Sequence, residues 1–163
     1  MKKIKIAVIG AGGIASFAHM PGYANMNNVE IVALCDINLE KAKVLAEKYN
    51  VPQVFENYEE VLELPGLDAV DICTPTFLHH DMVMESLNLG VDTICEKPIA
   101  LNHADAKEML DTAKAKGCRL YIAQVLQFTK EIQHLHRLVE TEEYGKVLDA
   151  SFERLSACPQ WAS

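Results

Sequence analysis

The sequence predicts an α/β protein built on a doubly wound, mostly parallel sheet, and three observations carry that expectation. Apolar strands alternate with amphipathic helices along most of the 163 residues. The connections between them are short, which suits parallel strands joined by crossover helices. The strands themselves are almost continuously apolar, as strands covered on both faces must be. A sheet of this kind places its ligand site beyond the carboxyl ends of its strands.

The first strand is "KIKIAVIG", with Ile4, Ile6, Val8 and Ile9 as its apolar run. A glycine turn follows, and a helix starts near Gly13. "VEIVALCD" is the second strand. Asn38 is placed to cap the next helix, whose Ala42, Leu45, Ala46 and Tyr49 share one face at helical spacing. A short "QVF" strand and a small helix in "NYEEVLEL" come next, closed by Pro65 and Gly66. "LDAVDIC" reads as the fourth strand, Thr76 to Leu89 as a helix stopped by Gly90, and "VDTIC" as the fifth strand. Asn102 caps a helix with the stripe Ala106, Met109, Leu110 and Ala113, and Gly117 ends it. "CRLYIAQV" is the sixth strand, and Phe128, Ile132, Leu135 and Val139 mark one more helix.

The segment "KVLDASFERLSA" differs in kind. Its strict alternation suits an antiparallel strand with one covered face, so it is expected to open a second, α+β domain. The expected division is a dinucleotide-binding domain over 1–124 and, over 125–163, a linking helix with the first strand of an incomplete substrate or oligomerisation domain. On this reading the chain stops soon after entering that domain.

Half of the residues are hydrophobic, 23% are charged, and the formal net charge is -8. Phosphate neutralisation needs clustered Lys and Arg, so a nucleic-acid surface is not expected. The chain shows neither a signal-peptide h-region nor an apolar run long enough for a membrane span, and a cytoplasmic setting is expected. The five cysteines (Cys35, Cys73, Cys95, Cys118 and Cys158) lack C-x-x-C spacing, and several sit in apolar runs. They read as buried thiols. No metal site is expected, because adjacent histidines such as His79 and His80 point about 100° apart on a helix.

Three clusters carry chemistry. In "GAGGIA", Gly10 permits a tight turn, Gly12 lets a diphosphate approach bare backbone, and Ala15 lets the helix pack closely on the strand. Asp36 ends the second strand about 20 residues on, where a carboxylate accepts from ribose hydroxyls. Ile37 and Asn38 follow it, so no adjacent Arg awaits a 2′-phosphate; this favours NAD over NADP, although Lys41 lies one helical turn away. The second cluster is "CTPTFLHH", where Thr74 and Pro75 form a turn at the ligand edge. His79 is open between a cofactor-loop role and a capping or surface role. The third is "CEKP": a cis Lys97–Pro98 bond would aim Lys97 across the crevice. There Lys97 would donate to a substrate hydroxyl or transfer a proton; the alternative is a solvated loop lysine.

Taken together, "IAVIGAGGIA…H", "ALCD", "TPTFLH", "GVDTICEKPIA" and "GKVLDASFERLS" resemble the Gfo/Idh/MocA family of oxidoreductases, in order and spacing, over essentially the whole chain. The resemblance implies a Rossmann domain binding a nicotinamide dinucleotide, with hydride transfer at a carbinol carbon of a sugar, cyclitol or polyol. It implies cofactor contacts from Gly10, Gly12, Gly13, Ile14, Ala15, Asp36 and Ile37, and from Thr74, Pro75 and His79 on the nicotinamide side. Glu96, Lys97 and Pro98 match the family's Glu-Lys-Pro signature, with Lys97 catalytic and Pro98 cis. Family members continue into a sheet-based domain that supplies further substrate residues and, as a rule, a homo-oligomer interface. Where they often carry Arg and an aromatic, this chain has Gln127 and Thr129. The alternatives are a non-catalytic dinucleotide-binding module and a truncated remnant.

Overall fold

A computed structural model describes residues 2–153 and 155. It divides into two compact units, 1–124 and 125–163. In the first, β1 (Ile4–Ile9), β2 (Val29–Cys35), β3 (Gln53–Phe55), β4 (Ala69–Ile72), β5 (Asp92–Cys95) and β6 (Leu120–Ile122) form one sheet in the order β3-β2-β1-β4-β5-β6. Every pairing is parallel. The chain winds outward from β1 to β3, then returns to lay β4 on the free side of β1. The gap between the ends of β1 and β4 is therefore the switch point at which such sheets bind ligands.

Alternate strand residues feed two separate cores. Ala7, Ile9, Ala33, Cys35, Val70 and Ile72 face α3 (Tyr58–Leu62), α4 (His79–Asn88) and α5 (His103–Lys116), which contribute Val61, Val83, Leu87 and Met109. Val8, Leu34 and Cys73 face the opposite way, against Ala15, Met20 and the Ala42, Leu45, Ala46 stripe of α2 (Leu39–Tyr49). Burying each of these Leu, Val or Met side chains contributes roughly 1.5–3 kcal/mol. The capping residues act as expected: Asn38 accepts from the Lys41 amide and Asn102 from that of Asp105. Gly117 closes α5 in the left-handed conformation. Leu110, expected on the buried stripe of α5, is exposed, since it lies about 100° around the helix from the fully buried Met109.

The first helix is irregular. A π-helical turn, Ala15–His19, leads into α1 (Met20–Ala24). Turns of this kind are uncommon and are frequently found at functional sites.

In the second unit a short 3₁₀ turn, Val125–Phe128, precedes α6 (Lys130–Thr141). Phe128, Ile132, Leu135 and Val139 are exposed. The strand expected over 146–157 is not formed among the described residues, which here are 146–153 and 155. Alternation is a local signal, whereas a strand exists only through hydrogen bonds to a neighbour, and among the described residues none pairs with this segment. No helix among the described residues is long and apolar enough to cross a membrane. Cys35, Cys73 and Cys95 are buried free thiols and Cys118 is half-buried; Cys158 lies outside the described residues.

Candidate functional site

The glycine turn is shaped by two backbone constraints. Gly10 has φ of +101°, and a Cβ there would lie 2.8 Å from the Cys73 carbonyl oxygen. The turn thus lies flat against the end of β4, which only glycine allows. Gly12 and Gly13 are the opposite case, with nothing within 4 Å of where a Cβ would stand. Their open backbone faces solvent at the start of the helix, the arrangement in which N–H groups receive a phosphate. Ala15 is fully buried against the sheet, and Ile14 packs partly against the same core.

Asp36 does structural work in this turn. Its Oδ2 accepts the Ala11 amide at 2.7 Å and its Oδ1 accepts the Asn38 amide at 2.8 Å. These two contacts leave room for further partners, since a carboxylate has about four lone-pair sites. Around it opens a cleft of about 570 Å³, lined by Gly10, Gly12, Asp36, Ile37, Lys41, Glu56, Glu59, Thr74, Pro75 and Phe77 among others. The structure therefore brings six of the expected cofactor residues to one cleft. Gly13, Ile14, Ala15, His79, Glu96, Lys97 and Pro98 do not line it.

His79 is not exposed, and its side chain does not cap α4, which begins with it. It is buried, with Nδ1 2.9 Å from the Pro98 carbonyl oxygen and Nε2 2.9 Å from that of Thr74. The ring spans the ends of β4 and β5 from beneath. His80 points elsewhere, toward Asp81 and Glu108 at the surface. The Lys97–Pro98 bond is cis, as the family resemblance implies. Lys97 is exposed at this edge, and its ammonium makes no hydrogen bond to any described residue.

Beneath Lys97 lies a polar cluster that the sequence reading missed. Asp71, on the middle strand β4, is fully buried on the face covered by the first helix. Its Oδ2 meets His19 Nδ1 at 2.7 Å and accepts from the Tyr23 hydroxyl at 2.9 Å. His19 Nε2 lies 3.0 Å from Oε1 of Glu96, whose Oε2 accepts the Lys97 amide at 3.1 Å. Burial pulls the His19 imidazolium down, but the hydrogen bonds and charges of Asp71 and then Glu96 outweigh it and leave its pKa above the ordinary 6.5. Donor atoms of His19, Asp71 and Cys73 lie within 4.8 Å of one another. Both ring nitrogens of His19 and Oδ2 of Asp71 are already engaged in hydrogen-bond contacts, whereas Asp71 Oδ1 has no partner among the described residues. One signal in the sequence pointed to this cluster: a carboxylate at the centre of "LDAVDIC" cannot be buried without partners.

Comparison with known proteins agrees with this geometry. Residues 4–124 match the family model described as the oxidoreductase family with an NAD-binding Rossmann fold, Gfo/Idh/MocA. The chain is 32% identical over 160 residues to D-glucoside 3-dehydrogenase of Escherichia coli (strain K12), across 97% of this chain and 46% of that protein. Scyllo-inositol dehydrogenase from Lactobacillus casei, solved with NAD(H) and scyllo-inositol, superposes with a TM-score of 0.83 at 21% identity, over 88% of this chain and 43% of that one. KijD10, a 3-ketoreductase from Actinomadura kijaniata solved with TDP-benzene and NADP, superposes with a TM-score of 0.81 at 22% identity, over 88% and 45%. These two share the fold. The chain spans just under half the length of the relatives it matches. Matched over most of its length and carrying the glycine turn at the switch point of a six-stranded parallel sheet, the chain belongs to the Gfo/Idh/MocA family of oxidoreductases.

Proposed function

We propose that the chain is the dinucleotide-binding portion of an NAD-dependent dehydrogenase acting on a carbinol carbon of a sugar, cyclitol or related polyol. The observation that carries the reading is Asp36, fixed by two backbone amides at the mouth of the cleft, with lone pairs left for ribose hydroxyls. The residues fit a dinucleotide: Gly10 is flattened against β4, and no Cβ intrudes at Gly12 or Gly13 where a diphosphate would lie. Ile14 and Ala15 seat the helix that follows, Ile37 flanks the adenosine end, and Thr74 and Pro75 border the nicotinamide end. His79 holds that end in place from below.

Cofactor choice is read from charge. Relatives of this fold have been solved with NAD(H) and with NADP. Here a 2′-phosphate would meet Asp36, with Glu56 and Glu59 on the same cleft, and Lys41 as the one cation among the described residues that line it. When bound, the nicotinamide ring supplies the hydride acceptor or donor. The part of Lys97 is to donate a hydrogen bond to the carbinol oxygen and to hold a proton at that atom, while Glu96 and Pro98 fix its direction.

The test is a fluorescence titration of NADH and NADPH with the full chain. Saturable NADH enhancement is expected, with NADPH weaker by about tenfold or more, a difference of about 1.4 kcal/mol. No response at millimolar NADH would sink the reading, and equal affinities would sink the preference for NAD. A second reading, a binding module without turnover, is favoured by the Lys97 ammonium having no hydrogen-bond partner among the described residues. Oxidation of any polyol in a substrate panel by the chain alone would exclude it.

A further inference from the structure

We propose that His19 is a positioning residue for the Glu96–Lys97–Pro98 turn, clasping Glu96 with one ring nitrogen while Asp71 anchors the other. The inference rests on the reading above for the importance of Lys97, but the coupling itself is a property of the free chain.

The construction begins in the backbone. The π-helical turn ends at His19, directing its ring toward the sheet between the fully buried Ala15 and Met20. Tyr23, four residues on, meets the same Asp71 oxygen, and its ring stands edge-on to that of His19 at 6.4 Å between centroids. Asp71 Oδ1 is buried with no hydrogen bond, so the stability of this carboxylate depends on what Oδ2 receives from His19 and Tyr23. Glu96 is 6% exposed and bridges His19 to the amide of Lys97.

Such a chain of contacts transmits the ring's protonation state. The imidazolium donates from both nitrogens, one to each carboxylate. The neutral ring has a single N–H, and the shorter contact, to fully buried Asp71, keeps it at Nδ1. The Nε2 lone pair then faces Oε1 of Glu96, the two repel, and Glu96 turns away. Lys97 loses the acceptor of its amide. The other titratable groups facing the ring stay protonated meanwhile. Burial pushes the Tyr23 phenol and the Cys73 thiol far up, with Asp71 adding to both.

The test follows the Lys97 amide and the His19 ring by ¹⁵N NMR of the full chain between about pH 6 and about pH 9, the range in which a histidine whose pKa is raised changes charge. The two should titrate with one midpoint, above 6.5. In Glu96→Gln the side-chain amide donates to the neutral ring, so the Lys97 signal should stop following pH while His19 still titrates at a lower midpoint. A Lys97 amide that ignores pH in the unmutated chain, or that follows it unchanged in Glu96→Gln, overturns the proposal. NADH affinity should weaken several-fold across the same interval. Failure to bind NADH at any pH would defeat the proposed function, and the NMR coupling would still decide the role of His19.

Discussion

Asp36 accepts the amide proton of Ala11 at 2.7 Å, and through that contact the end of the second strand holds the glycine turn of the first. One carboxylate therefore shapes the glycine turn and, on the proposed function, would present its remaining lone pairs to the ribose. Asp36→Ala should do two things at once. Leaving the Ala11 amide unpaired should cost about 1–3 kcal/mol in urea denaturation. NADH should bind about tenfold more weakly or worse, with the gap to NADPH narrowed. A stability loss with cofactor affinities unchanged would separate the two roles and remove the second.

Gly10→Ala should be the most damaging glycine substitution in the turn. Its Cβ would strike the Cys73 carbonyl at 2.8 Å in a backbone conformation that L residues avoid. Roughly 1–3 kcal/mol of strain is expected from the conformation alone. Gly12→Ala meets open space, so it should leave stability nearly unchanged and lower NADH affinity instead. Thermal melts and NADH titrations of the two variants check the contrast.

His79 and His80 are neighbours with opposite fates. His79→Ala removes the group that two buried-edge carbonyls face, and about 3 kcal/mol of destabilisation is expected. His80→Ala breaks only surface contacts to Asp81 and Glu108, worth about 1 kcal/mol or less. Equal losses in denaturant midpoint would contradict this account.

Stability should decline on the alkaline side in two stages. The folded pKa of His19 exceeds its unfolded 6.5, so its contribution is complete below that pH and is lost as pH rises through the folded value. Next come the thiols. Burial pushes Cys35 and Cys95 up to about 12, so above the unfolded value of 9.0 only the unfolded chain releases these protons. Each such thiol then lowers stability by up to about 1.4 kcal/mol per pH unit. Urea unfolding at stepped pH should show a shallower second stage in Cys95→Ala; an unchanged slope would contradict the assignment.

The elements with strong local signals were legible in the sequence. Six strands follow from their apolar runs, α2 and α5 from capping Asn38 and Asn102, and the need for glycine at position 10 from the turn it must make. What the sequence concealed is non-local. His19 and Asp71 are 52 residues apart, and nothing near either names the other. His79 could not be told from a surface histidine, because its burial depends on Pro98 arriving from the next strand. The alternation after Lys146 suggested a strand, but pairing requires a neighbour that no local pattern supplies.

His79, lying under two carbonyls, has a mechanical consequence. The turn at Thr74 and the turn at Pro98 sit on neighbouring strands, and a single rigid ring braces both. A shift of either carbonyl would strain the contact that the same ring makes with the other. On the proposed function, a nucleotide resting on the first turn would therefore be coupled through this ring to the second, beside a lysine it need not touch.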